Sequence, residues 1–163
     1  MKKLFSPWRA KYIGSFKKKK SEVCIFCDAI KKKKDEKTLI IYRGKLCFVI
    51  MNLYPYNNGH LMIVPNLHIG DVKKINDECA IEMNKLVSVS VSAIEKVMKP
   101  HGFNVGMNLG RAAGAGVEGH LHTHIVPRWN GDTNFMPVLG ETKIISEDLK
   151  STYLKLKKYF PKG

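Results

Sequence analysis

No apolar run in this chain approaches bilayer-crossing length, so a membrane-spanning helix is not expected. The opening Met1-Lys2-Lys3-Leu4-Phe5-Ser6-Pro7-Trp8-Arg9 has basic residues but no long apolar core behind them, which argues against a secretory signal. Nothing in the cysteine spacing reads as a disulfide framework. Cys24 and Cys27 form a C-x-x-C pair, while Cys47 and Cys79 lie singly in apolar stretches, where a thiol serves as a small core residue. A cytoplasmic protein with no membrane partner is the expectation. Acidic residues are also scarce, 14 against 28 Lys and Arg, for a net charge of +14. That balance argues against a cationic ligand and suits polyanions: nucleotides, polyphosphate chains or nucleic acid. Lys17–Lys20 and Lys31–Lys34 supply two solid runs flanking the C-x-x-C, and the plainer reading of both is a pair of solvated loops.

What is present fits one domain. The 163 residues suffice to bury a core, and no internal repeat or interdomain linker interrupts them. Apolar runs and alternation predict strands at 39–42, 46–52, 61–64, 103–109 and 121–126, with Arg43-Gly44-Lys45 as a tight turn between the first two. Ile75, Cys79, Met83, Leu86, Ser90, Ile94 and Val97 recur at three- and four-residue steps, predicting a helix over 75–98 that ends at Pro100-His101-Gly102. A second helix is expected after Ser146, with Glu147 and Asp148 in its first turn and Leu149, Tyr153, Leu156 and Phe160 on one face. Short turns between consecutive strands imply an antiparallel sheet with the long helix on one side, an α+β class. The expected division is a basic N-terminal segment over 1–38 and a core over 39–163.

The chemistry concentrates in His120-Leu121-His122-Thr123-His124-Ile125-Val126-Pro127-Arg128. On a strand, alternate side chains share a face, so the three imidazoles project together about 6–7 Å apart. Convergent imidazoles suit either a metal or nucleophilic attack on phosphorus. The preceding Gly110-Arg111-Ala112-Ala113-Gly114-Ala115-Gly116 favours phosphate, because backbone N–H groups in such a loop approach oxygens without side-chain obstruction.

The H-x-H-x-H run, together with Asn52-Leu53-Tyr54-Pro55-Tyr56-Asn57-Asn58-Gly59-His60-Leu61-Met62-Ile63-Val64-Pro65, resembles the histidine-triad (HIT) superfamily. The resemblance runs from Leu4-Phe5-Ser6-Pro7-Trp8-Arg9 to Phe135-Met136-Pro137. Pro100-His101-Gly102-Phe103-Asn104-Val105-Gly106 and Pro127-Arg128-Trp129-Asn130-Gly131-Asp132 look closest to the bacterial diadenosine tetraphosphate phosphorylase-like branch. The resemblance implies a HIT-like fold: a five-stranded antiparallel sheet, one long helix and a C-terminal helix. It implies that His122 is the nucleophile forming a nucleotidyl-histidine intermediate, its other ring nitrogen held by an acceptor such as a backbone carbonyl. His124 matches the position that contacts phosphate and assists the leaving group, and His60 the residue supporting the triad from the neighbouring strand. Asn52 falls at the ribose position, Asn108 at a phosphate-orienting amide, and Gly116 and Trp129 at positions of phosphate binding. Two departures stand out: Thr123 replaces an apolar residue, and Ala115-Gly116 replaces Gly-Ser, whose hydroxyl helps hold inorganic phosphate.

A C-x-x-C pair is one half of a tetrahedral zinc site, and redox chemistry competes for the same motif. The resemblance to zinc-bearing bacterial members implies structural Zn2+ on Cys24, Cys27, His68 and His120, with the first triad histidine serving the metal. It also implies a homodimer. The expected activity is cleavage of dinucleoside polyphosphates such as diadenosine tetraphosphate. A nucleoside phosphoramidate hydrolase shares the triad, and a zinc-stabilised nucleic-acid-binding module is the non-enzymatic alternative.

Overall fold

The computed structural model describes residues 23–133 and 147–161. The first lysine run, the opening segment and Phe135-Met136-Pro137 lie outside the described residues. Five strands form one antiparallel sheet in the order β1-β2-β3-β5-β4: β1 (Ile40–Arg43), β2 (Cys47–Met51), β3 (Leu61–Pro65), β4 (Gly102–Met107) and β5 (Thr123–Arg128). Each matches an expected strand to within a few residues. The β1–β2 turn closes through Gly44 N–H to the Cys47 carbonyl at 2.8 Å.

β2 and β3 are buried along their whole length, so both sheet faces are covered. The two-residue period sorts their side chains into two clusters. Cys47, Val49, Met51, Leu61 and Ile63 join the long helix, and Phe48, Ile50, Met62 and Val64 join Phe26 and Ala29. The second cluster exposes a gap in the sequence reading. The lysine-rich stretch holds two short helices, α1 (Ile25–Lys31) and α2 (Asp35–Thr38), where only a loop is expected. The lysines mask a short helical stripe of Phe26, Ala29 and Ile30, of which Phe26 and Ala29 are buried.

The long helix α3 (Asp77–Met98) starts at Asn76, whose side chain accepts from Cys79 N–H at 2.9 Å. It ends at Lys99 in the left-handed region, one residue before the proline. The last helix, α4 (Leu149–Lys157), begins two residues later than expected. Asp148 is its cap rather than part of the first turn, its carboxylate accepting from Lys150 and Ser151 N–H. Buried Tyr153 anchors α4 to the sheet by donating its hydroxyl to the Ile40 carbonyl at 3.1 Å. No helix among the described residues is long and apolar enough to cross a membrane.

Candidate active site and metal centre

The triad straddles the start of a strand instead of lying within one. Pairing of β5 begins at Thr123, so His124 sits in the ladder opposite Met62 and Gly106, while His120 and His122 precede it. Leu121 N–H bonds to the Ile69 carbonyl at 2.7 Å, tying this approach to the segment after β3 instead of to the sheet. All three histidines are buried. His122 and His124 meet edge to face with ring centroids 4.8 Å apart, whereas His120 turns to a different set of partners.

Hydrogen bonding fixes the ring tautomers. His122 Nδ1 lies 2.9 Å from the His120 carbonyl oxygen, which accepts its proton and leaves the lone pair on Nε2. Burial pushes the His122 imidazole below its ordinary pKa, keeping it neutral. A second chain starts at Tyr56 N–H, which donates to His60 Nδ1 at 3.0 Å. The His60 proton therefore sits on Nε2 and is donated to His124 Nδ1 at 2.9 Å, which puts the His124 proton on Nε2. One imidazole thus carries a lone pair and its neighbour a proton.

Both rings line a cleft of about 440 Å3, walled by α1 through Ile25, Phe26 and Ala29 and by the β2–β3 loop through Asn52, Leu53 and Tyr54. Asn52 lines it with its side-chain oxygen accepting from Tyr54 N–H at 2.9 Å. Gly114 and Gly116 line it as well. The glycine loop, however, is folded as a short 3-10 turn over Arg111–Ala113, and the N–H groups of Ala113, Gly114 and Ala115 are committed to its own carbonyls. It is a shaped wall more than an open cradle. Asn108 lines a second cleft of about 430 Å3, which shares Tyr56 and His124 with the first. Trp129 lines neither cleft; half-buried at the end of β5, it donates its backbone N–H to Asp132. Sequence reading missed Phe26 and Tyr56. Phe26 lies in the C-x-x-C itself, and its place in a short apolar stripe is the signal that pointed to it.

Cys24, Cys27, His68 and His120 converge, their ligand atoms all within 4.8 Å of one another. His120 Nδ1 is 3.3 Å from Cys24 Sγ and 3.6 Å from Cys27 Sγ, and His68 Nδ1 is 3.3 Å from Cys27 Sγ. Ordinary zinc–sulfur and zinc–nitrogen lengths put tetrahedral donors about 3.3–3.8 Å apart, so this set of two thiols and two imidazoles fits zinc. His120 Nε2 lies 2.8 Å from the Pro65 carbonyl, the outer hydrogen bond that orients a ligating imidazole. Burial lowers the His120 pKa, favouring the neutral form that binds metal.

The HIT domain family model matches residues 33–131. An AP-4-A phosphorylase from Mycobacterium tuberculosis is 38% identical over 157 residues, covering 93% of this chain and 80% of that one. An asymmetrical bis(5'-nucleosyl)-tetraphosphatase from Schizosaccharomyces pombe is 31% identical over 93 residues, covering 57% of this chain and 50% of that one. A crystal structure of a Zn-bound histidine triad family protein from Mycobacterium smegmatis superposes with a TM-score of 0.69 at 24% identity, covering 85% of this chain and 94% of that one. That last likeness establishes the fold.

Proposed function

Because the chain belongs to the HIT domain family, we propose that it is a nucleotidyl hydrolase or phosphorylase cleaving dinucleoside polyphosphates of the diadenosine tetraphosphate kind. The observation that carries the mechanism is the His122 Nδ1 bond to the His120 carbonyl, which directs the Nε2 lone pair to the cleft. The substrate class comes from the AP-4-A phosphorylase and tetraphosphatase relatives.

In this reading the nucleoside occupies the cleft between α1 and the β2–β3 loop, with Asn52 at the ribose. His122 Nε2 attacks the α-phosphorus, forming an N–P bond as the bond to the bridging oxygen breaks. The electron pair leaves with the polyphosphate, and the His124 Nε2–H stabilises its charge by donating a hydrogen bond to it. His60 holds His124 in the donating tautomer. Asn108, Gly116 and Trp129 serve the phosphates, Trp129 from outside the two clefts. Inorganic phosphate, or water as it gives up a proton to solvent, then attacks phosphorus, and the N–P bond breaks with its electron pair returning to His122 Nε2. Cys24, Cys27, His68 and His120 hold structural Zn2+, which when bound supplies a closed cross-link between the N-terminal segment and the sheet and takes no part in the chemical steps.

A homodimer and a cytoplasmic setting complete the proposal. Supporting the dimer, β4 is an edge strand whose Val105 is exposed, with Leu109 exposed just beyond it, an edge a second copy pairs with readily. Light scattering on the eluting protein tests it, and a monomer mass rejects it.

The decisive experiment is chromatography of diadenosine tetraphosphate products with and without inorganic phosphate. AMP plus ATP without phosphate makes water the acceptor. ADP plus ATP only with phosphate makes it a phosphorylase, with Ala115 in place of the family's hydroxyl tolerated. The His122→Ala variant is expected to lose at least about a thousandfold in kcat. Full turnover in that variant removes the mechanism, and tight RNA binding without any turnover favours the binding-module alternative.

A further inference from the structure

The metal centre and the nucleotide cleft share a wall. Phe26 lies between the two thiols in sequence and is 2% exposed. Its ring packs edge-on against His120, centroids 5.4 Å apart, and tilted against His122 at 5.2 Å. The same residue lines the nucleoside cleft beside Ile25 and Ala29. A second connection runs through the backbone. His120 offers its ring to the thiols and to Pro65, and its carbonyl oxygen holds the His122 Nδ1 proton. Moving His120 therefore moves the acceptor that sets the nucleophile's tautomer.

The start of the helix carrying Phe26 is held chiefly by the thiols and by Phe26 itself. α1 has seven residues, and Cys24 at its start makes no side-chain capping bond. A helix that short is unstable in water without tertiary support. Its buried residues are Phe26 and Ala29, and its other ties are the thiol pair at its first turn and Arg43, whose Nη1 donates to the Ile30 carbonyl at 2.9 Å near its end.

We infer that metal binding at Cys24, Cys27, His68 and His120 is thermodynamically linked to nucleotide binding in the cleft, with Phe26 as the positioning residue that transmits the linkage to His122. The metal acts on the reaction by ordering a cleft wall and a ring, without touching substrate. The inference rests on the proposed nucleotide function. Linkage is reciprocal, so saturating nucleotide tightens the metal by the same factor that the metal tightens nucleotide.

The test uses the full chain loaded with zinc, AMP as the nucleotide probe, and a Phe26→Leu variant. A competing chelator measures zinc affinity with and without saturating AMP, calorimetry measures AMP affinity, and nitrogen-15 spectra report the His122 tautomer. AMP is expected to tighten zinc by about fivefold or more in the wild type. Phe26→Leu is expected to keep one zinc per chain, to bind AMP more weakly, to lose that linkage, and to show His122 in mixed tautomers. Because zinc affinity is read on folded, loaded protein, the result does not depend on the stripped chain staying folded. Zinc affinity indifferent to AMP, with AMP bound and diadenosine tetraphosphate turned over, overturns the linkage and leaves the proposed function standing. A Phe26→Leu variant with unchanged linkage and a single His122 tautomer removes Phe26 from the role. Absence of both AMP binding and turnover removes the nucleotide reading and the linkage with it.

Discussion

The Tyr56 backbone amide, joined by the longer Asn52 Nδ2 contact at 3.3 Å, decides what two buried imidazoles do. Tyr56 N–H points at His60 Nδ1, so His60 donates from Nε2 to His124, and the His124 proton is left on Nε2. His122 gets the opposite assignment from a carbonyl two residues before it. The lone pair and the proton that the proposed displacement needs are thus both fixed by main-chain groups, which have one hydrogen-bonding polarity and no protonation state to lose. His60 is fully buried and acts through His124, so it is a positioning residue. His60→Phe keeps a ring of similar shape but removes both nitrogens. The expected outcome is a kcat for diadenosine tetraphosphate lower by about tenfold or more, with a smaller rise in KM because Asn52 Nδ2, 3.3 Å from His60 Nδ1, loses that partner. The orphaned Tyr56 N–H is expected to lower stability by about 1–3 kcal/mol. Steady-state kinetics on protein checked by urea unfolding separates the two effects, and an unchanged kcat removes the relay. His60, His122 and His124 are visible in the sequence as histidines in a strand-like setting. Tyr56 is not, because the bond that sets the His60 tautomer comes from a backbone N–H that any residue other than proline carries, and no local pattern announces its ring against His60 and His124.

Alternating apolar runs located the strands, since a period of two survives wherever a sheet has a core. The same rule misplaced the start of β5. His120 and Leu121 alternate like strand residues, yet His120 is drawn to the thiols and Leu121 N–H to Ile69, so ladder pairing waits until Thr123. The helix α1 is hidden for a related reason, four consecutive lysines diluting a stripe of only three apolar residues, and α2, Asp35-Glu36-Lys37-Thr38 with no buried residue, carries no apolar period at all. At its other end β5 is tied down by a polar cluster that no local pattern announces. Asp132 accepts from Arg128 Nε at 2.6 Å and Nη2 at 2.8 Å, from Asn57 Nδ2 at 2.7 Å and from Trp129 N–H at 3.2 Å. Asn57 also donates to the Pro127 carbonyl at 3.1 Å, so this cluster joins the loop before β3 to the end of β5 and frames the histidines between them. The Arg128 fork first, then the Trp129 and Asn57 donors, hold the Asp132 carboxyl well below the usual carboxylate range. A carboxyl whose folded pKa is depressed contributes stability above its unfolded pKa, and that contribution is lost as pH falls through the folded value. Asp132→Asn is expected to cost about 1–3 kcal/mol near neutrality. Its difference from wild type is expected to shrink as pH falls from about 4 towards about 2. Urea unfolding across that range checks it; a pH-independent difference would mean that shape, not charge, is what Asp132 supplies.

For the molecule as a whole, the sequence made the chemistry legible and left the electrostatics open. The net charge of +14 is read most plainly as lysines on solvated loops, and otherwise as a field that gathers anionic substrate. Lys37, which follows the second lysine run, lines the nucleoside cleft, so part of the excess charge stands where a polyphosphate enters. Coulomb steering acts over about a Debye length, roughly 10 Å at 0.1 M salt, and shrinks to about 3 Å at 1 M. A field of this kind changes how often substrate arrives, so it appears in kcat/KM, while the displacement on His122 proceeds at buried imidazoles that salt screens much less. Raising ionic strength from about 0.05 M to about 0.5 M is therefore expected to lower kcat/KM for diadenosine tetraphosphate by about tenfold, with kcat nearly constant. A nucleoside phosphoramidate, with a single phosphorus and less charge, is expected to respond far more weakly. Stopped-flow or steady-state assays on both substrates across the salt series give the comparison. Equal salt dependence for the two substrates would assign the lysines to solubility alone, and a falling kcat would place a screened charge inside the chemical step itself, where the geometry of His122 and His124 has none.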